Sequence, residues 1–373
     1  MLIELFFYQT NERYKLINTI NIHIINHYKK QKHIIAFIIL FVNDNMKYFV
    51  ILSFCVAISI ANVLKDPVEG YNDGDRYFYF VGDEDGIVRL VDTLQPINQA
   101  LLRQLLRNSV NLYWLYTRSN PITPQSLSFE DTKSVASSYF KFESPTVFLV
   151  HGWGAKGDSE MNDVLVDAFL KDGDVNVIVL EWSAVANQGY MTAKAGVPQV
   201  GKDLGEFINW LTTLGVSYNK VHLVGYSLGG HLVGCAGRAT GGKVARITAL
   251  DPAGPLWAQD INRIAKTDGQ YVEVIHTNTF LFGLYDPCGD VDHYPNGGSR
   301  MPGCLLSTCS HSKAYQYMAA TVKYNHIFAN ECRTLNDMTR NTCSGPLKHM
   351  GNSDLIKFRK GIFRANTRAD YPF

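Results

Sequence analysis

Ser227 is the residue whose setting most clearly allows chemistry. It stands in Gly225-Tyr226-Ser227-Leu228-Gly229-Gly230, after an apolar run at 221–224 and before a helix-like stretch at 228–238. A strand running into Gly-x-Ser-x-Gly and then into a helix sets the serine on a sharp, strained turn. The flanking glycines remove the β-carbons that would clash there. The turn lifts the hydroxyl to a helix N-terminus, where the dipole and free N–H groups favour developing negative charge. A chance glycine-rich turn would lack both the strand before it and the helix after it.

A serine hydroxyl is a poor nucleophile at neutral pH. It needs a histidine to take its proton and an acid to fix that histidine. In this arrangement the chain order is Ser, acid, His. Asp251 ends the apolar run 246–250, and Pro252 stops the strand. Glu181 also ends a strand but precedes the serine. A plain turn aspartate is the bland alternative for Asp251. Five histidines follow: His276, His293, His311, His326 and His349. His276 ends a strand. His311 sits in Cys309-Ser310-His311-Ser312, which reads as a helix start that Cys309 can pin. The pattern alone leaves both open as the base. The negative oxygen of an acyl-transfer intermediate needs converging N–H donors. Leu228, after the nucleophile, supplies one. Trp153, in the turn His151-Gly152-Trp153-Gly154 after an early strand, is the best second donor.

These residues need a sheet to hold them. Buried, β-branched runs at 146–150, 175–181, 221–224, 244–250 and 271–276 alternate with helix-like stretches at 161–170, 199–214 and 228–238. That alternation predicts an α/β fold, a mostly parallel central sheet with helices on both faces. Residues 62–140 read as an irregular portion with one early strand at 112–117. The Gly-, Pro- and Asp-rich stretch 281–303 reads as loop.

The chain has 373 residues, with 35 Lys and Arg against 34 Asp and Glu. That balance argues against nucleic-acid partners and against a polybasic membrane anchor. Residues 46–61 carry a Met, one lysine and a short apolar run ending Ser-Ile-Ala, the pattern of a secretory signal peptide. Residues 1–45 then read as a spurious or disordered extension, and 62–373 as one mature, secreted domain. The rival is a membrane anchor using 33–42 and the run after Met46, but about ten apolar residues are too few to span. Six cysteines remain after 61, and six allow 15 pairings. Cys304 with Cys309 and Cys332 with Cys343 are close enough to clamp short loops.

The chain resembles the animal pancreatic lipase family, especially its short insect neutral lipases and phospholipases A1. The resemblance rests on 115–121, Val150-His151-Gly152-Trp153, 225–230, 250–255, 274–278, 294–298 and Cys309-Ser310-His311, in family order. It implies the α/β-hydrolase fold, Asp251 as the acid, His311 rather than His276 as the base, and Trp153 and Leu228 as oxyanion donors. It also implies a lipase or phospholipase A1 that hydrolyses carboxylic esters of glycerolipids through an acyl-enzyme. The alternative is a non-catalytic lipid carrier like the family's yolk-type relatives, which have lost the nucleophile.

Three departures matter. About 60 residues follow Cys309, so the family's C-terminal β-sandwich and colipase partnering through it are not expected. The cysteines that bracket the family's covering loop correspond to Cys304 and Cys309, with only Leu305-Leu306-Ser307-Thr308 between them. A permanently open site is therefore expected. The family's calcium stretch aligns with 260–268, where Ala265 replaces an acidic residue. No strong metal site is expected, and triad chemistry requires no cofactor. Phe280, Phe282, Leu305 and Leu306 are the expected substrate and rim residues, suited to contact with a lipid surface.

Overall fold

A computed structural model describes residues 71, 74–83, 87–108 and 111–373. The extension at 1–45 and the signal peptide at 46–61 lie outside the described residues. β1 (Tyr77–Val81) and β2 (Val88–Asp92) pair antiparallel as a separate hairpin. α1 (Gln99–Asn108), β3 (Leu112–Tyr116), β4 (Gln125–Leu127) and α2 (Thr132–Ala136) follow. The alternating part runs β5 (Thr146–Val150), α3 (Glu160–Asp172), β6 (Asn176–Glu181), α4 (Ser183–Ala186), α5 (Tyr190–Thr213), β7 (Val221–Tyr226), α6 (Leu228–Ala239), β8 (Arg246–Leu250), β9 (Val272–Ile275) and β10 (Val291–His293). α7 (Ser307–Tyr324), β11 (Phe328–Cys332), α8 (Leu335–Arg340), β12 (Leu347–His349) and β13 (Gly361–Ala365) complete it.

The large sheet has the order β12-β11-β13-β10-β9-β8-β7-β5-β6-β3-β4. Its centre, from β13 through β10, β9, β8, β7 and β5 to β6, is parallel, and antiparallel strands flank it on both edges. Every residue of β5, β7, β8 and β9 is buried, as strands covered on both faces must be. Alternation divides them between two layers. Phe148, Val150, Leu223 and Ile247 pack with α5 and α6, while Val147, Leu149, Val224 and Leu250 pack with α3 and α7. The protein is thus an α/β-hydrolase with helices on both faces. No helix among the described residues is long and apolar enough to cross a membrane.

Three sequence expectations need correction. The stretch 281–303 is not all loop: β10 lies within it and carries the parallel run from β9 to β13. A three-residue strand between Gly- and Pro-rich turns leaves too short a period to read. The helix expected at 199–214 begins at Tyr190, and Pro198 lies inside it. Proline costs about 3 kcal/mol in a helix interior, but burial of Ala193, Val197 and Val200 holds the turns on either side of it. Residues 62–140 are not irregular with one strand. Where described, they hold the hairpin, α1, β3, β4 and α2.

Candidate active site

The C-terminal ends of β7 and β8 bring the chemistry together. Ser227 follows β7 with φ 56° and ψ −121°, and α6 starts at the next residue, Leu228. This left-handed serine is tolerable only because its neighbours give way. A β-carbon on Gly225 would lie 2.1 Å from the Gly229 carbonyl oxygen, and one on Gly229 would lie 2.3 Å from that of Val150. The Gly-x-Ser-x-Gly spacing is thus the packing requirement of this elbow. Asp251 follows β8, also at positive φ (42°), and its peptide N–H donates to the Ile275 carbonyl.

The Asp251 carboxylate is fully buried and held from several sides. Its Oδ1 accepts from the Thr277 and Asn278 peptide N–H groups at 2.7 and 3.0 Å. Its Oδ2 pairs with His311 Nδ1 at 2.5 Å. His311 enters from the first turns of α7, and the Cys304–Cys309 disulfide closes the short loop just before it. Its ring lies beside Tyr226 (4.7 Å) and Phe282 (5.7 Å). Burial pulls the imidazole pKa down, but hydrogen bonds and charge from Asp251 and Asp83 outweigh it, raising it to about 9. His276, left open by the pattern, lies elsewhere. It bonds Asp292 and the Leu284 carbonyl, both at 2.9 Å, and stacks on Tyr294.

Trp153 is buried, and its indole N–H donates to the Gln188 carbonyl. Gly152 before it is obligatory, because a β-carbon there would lie 2.7 Å from Ser227 Cβ. Leu228 is completely buried at the start of α6.

The sequence did not reveal Asp83 as a member of this site. It follows β1 at the tip of the hairpin, and its peptide N–H donates to the Trp153 carbonyl at 2.8 Å. Its side chain is 2% exposed, with Oδ1 3.4 Å from His311 Nε2. The β-carbon position that Gly152 forgoes lies 1.8 Å from Asp83 Oδ2. The Asp83 carboxylate and the Ser227 side chain therefore crowd one point. Burial pushes the Asp83 carboxyl up, against the opposing influence of His311, the Ser227 hydroxyl and the Trp153 N–H. The expected open site is corrected: Ser227 is 0% exposed, with the β1–β2 hairpin against it. The alternation of 77–81, the glycines at 82 and 86 and the second run at 87–91 are the sequence pattern of a hairpin. Nothing local says what it covers.

Comparison with known proteins matches the lipase family model to residues 93–359. The chain belongs to the animal pancreatic lipase family. Over 273 residues it is 32% identical to human (Homo sapiens) pancreatic triacylglycerol lipase, covering 64% of this chain and 58% of that one. Over 185 residues it is 40% identical to lipoprotein lipase of Neovison vison, covering 47% and 39%. The chain thus spans well under two thirds of either relative's length. Among solved structures, an α/β hydrolase from a Medee basin deep-sea metagenome library matches 47% of this chain and 68% of its own. Its TM-score of 0.30 at 14% identity adds nothing to the fold argument.

Within this lipase-family chain the expected rim residues divide. Phe280 and Leu305 are 72% and 62% exposed, Leu306 is half-buried, and Phe282 is buried against the site. Along 260–268, Asp268 pairs with Arg238 at 2.7 Å and accepts from the Ala265 N–H, while Asp260 pairs with Lys194. The second disulfide is Cys332–Cys343, and Cys235 and Cys288 are free and buried.

Proposed function

We propose that the chain is a serine carboxylic ester hydrolase acting on glycerolipids, with Ser227 as nucleophile, His311 as base and Asp251 as the group that orients it. One observation carries the reading: the Asp251–His311 pair stands beside a strained serine elbow at the ends of adjacent strands. Ser227 attacks the acyl carbon while His311 takes its proton, then returns it to the leaving alcohol. Water repeats the sequence and releases the acid. Asp251 keeps Nδ1 protonated so that Nε2 faces the serine. The Trp153 and Leu228 N–H groups bind the oxygen as its charge develops.

The acyl ester of a phospholipid and that of a neutral glyceride present the same carbonyl to these groups. The short Cys304–Cys309 loop favours the phospholipase A1-like form of this reading. Phe280, Tyr285 and Leu305, all exposed, are the groups that would meet a lipid surface. Two disulfides support export to an oxidising compartment.

Covalent labelling with a fluorophosphonate tests the nucleophile. Because Asp83 stands at Ser227, the label is applied to the wild-type chain and to Asp83→Ala. The adduct should map to Ser227 and vanish in Ser227→Ala. No adduct on either chain would sink the hydrolase and favour the lipid carrier. Phosphatidylcholine, triolein and galactolipid assayed side by side, with positional analysis of the released acid, assign the substrate.

A further inference from the structure

β1 is amphipathic. Tyr77 and Tyr79 face solvent, while Phe78 and Phe80 are buried. Phe80 lies 4.9 Å from Phe282, 5.1 Å from Tyr190 and 5.5 Å from Trp153, ring to ring. Phe78 continues along Tyr190 at 5.6 Å. An apolar row thus leads away from the catalytic histidine, whose ring also touches Phe282. At its head stands a carboxylate, Asp83, facing His311 Nε2 and pressed against Ser227 through Gly152. Both Asp83 carboxylate oxygens are buried without a well-directed hydrogen bond, as are Ser227 Oγ and His311 Nε2. An acid head at the triad and an apolar tail in the adjoining groove is the outline of a fatty acid.

We propose that the β1–β2 hairpin is a built-in mimic of the fatty-acid product, with Asp83 in the carboxylate position and Phe80 and Phe78 in the acyl groove, so that the chain is latent until the hairpin leaves. This inference rests on the hydrolase reading above. It also assigns the acyl groove, whose walls are Phe282, Trp153 and Tyr190.

Beside Asp83 a separate cavity, lined by His151, Gly152, Met161, Tyr226 and Tyr315 among others and by none of Phe282, Trp153 and Tyr190, holds about 140 Å³, less than the roughly 300–1,000 Å³ of pockets for drug-sized ligands. The hairpin can leave as a unit, because its two strands form a sheet of their own, joined to the domain by the Asp83–Trp153 backbone hydrogen bond and side-chain contacts, and a two-stranded hairpin is marginal alone. What holds it is the groove. The segment joining it to α1 is accessible to a protease, with Leu94 67% exposed. The closed state also blocks chemistry directly: Asp83 Oδ1 stands 3.4 Å from His311 Nε2, where the serine hydroxyl would have to meet it.

The test uses the full chain with a site-specific protease sequence replacing residues 94–98, together with Asp83→Ala and Phe80→Ala. Ser227 labelling by a fluorophosphonate is timed in each. Binding of the fluorescent fatty acid cis-parinaric acid is titrated in a Ser227→Ala background, where catalysis plays no part. Where fewer than a tenth of molecules are open, unmasking gives at least about a tenfold gain. Cleavage and both substitutions should therefore speed labelling and tighten parinarate binding by that factor. Unchanged labelling and binding would overturn the mimic while leaving the hydrolase standing. Tighter binding with no labelling would keep the hairpin as the occupant of a fatty-acid groove but overturn the hydrolase, and with it the product mimic and the latency. Cleavage acts after folding, so a misfolded variant cannot decide the result. Slower labelling after cleavage with the melting transition intact would also overturn it.

Discussion

At Asp251 two peptide N–H groups and His311 Nδ1 converge on one buried carboxylate, and the imidazole has a single orientation left. Asp251→Asn keeps the shape but favours the wrong tautomer. It should lower turnover of a soluble p-nitrophenyl ester by about 10⁴-fold, with labelling of Ser227 slowed in proportion. The pH behaviour follows from His311. Its folded pKa, about 9, lies above the ordinary value of 6.5. Stability from its charged form is therefore fully present below about 6.5 and is lost as pH rises through about 9. The groups facing it are Asp251, Asp83 and the Tyr226 ring, so Asp83→Asn should remove part of the shift. Activity of that variant against pH should show its acid limb at lower pH than in wild type. An unmoved limb would mean that Asp83 does not act on His311. Ser227 was legible because its glycines are a steric requirement, and Asp251 because a strand ends at it. His311 was not separable from His276 by pattern. The two differ in three-dimensional partners, Asp251 against Asp292, that no local spacing encodes.

Strands and helices hold those residues through a few close contacts. Gly225→Ala would press a β-carbon onto the Gly229 carbonyl at 2.1 Å. Overpacking of this kind costs about 1–3 kcal/mol. The melting temperature should fall, and labelling should fall further, because the elbow itself must shift. On the other side of β9, Glu273 is fully buried among Arg246, His293 and Lys357. Burial draws the Lys357 ammonium down to about 7 despite Glu273 beside it. Glu273→Gln leaves the buried Arg246 guanidinium without its carboxylate and should destabilise the chain by about 3–5 kcal/mol, read from urea unfolding monitored by tryptophan fluorescence. The parallel strands were legible as wholly apolar runs. β10 and the terminal strands β11 to β13 were not, because they are short, mixed in polarity and set between turns. The hairpin could be read as an element, yet its tenancy in the groove depends on contacts between residue 80 and residue 282, which period and propensity do not report.

Across the molecule, an α/β-hydrolase sheet presents a strained serine and an acid at adjacent strand ends, α7 brings an oriented histidine to the acid, and the β1–β2 hairpin stands over them. The short Cys304–Cys309 loop leaves too little chain to cover the site, and the hairpin covers it instead. Composition argues against nucleic-acid partners, but a cover drawn from the β1–β2 hairpin is a property of the fold. Passage of an acyl group through Ser227 is read out by quenching the Asp83→Ala chain during turnover of a long-chain p-nitrophenyl ester and measuring its intact mass. A single acyl adduct should map to Ser227 and be lost, with turnover, in Asp83→Ala carrying Ser227→Ala as well. Turnover that survives the loss of Ser227, or an adduct on another residue, would contradict it.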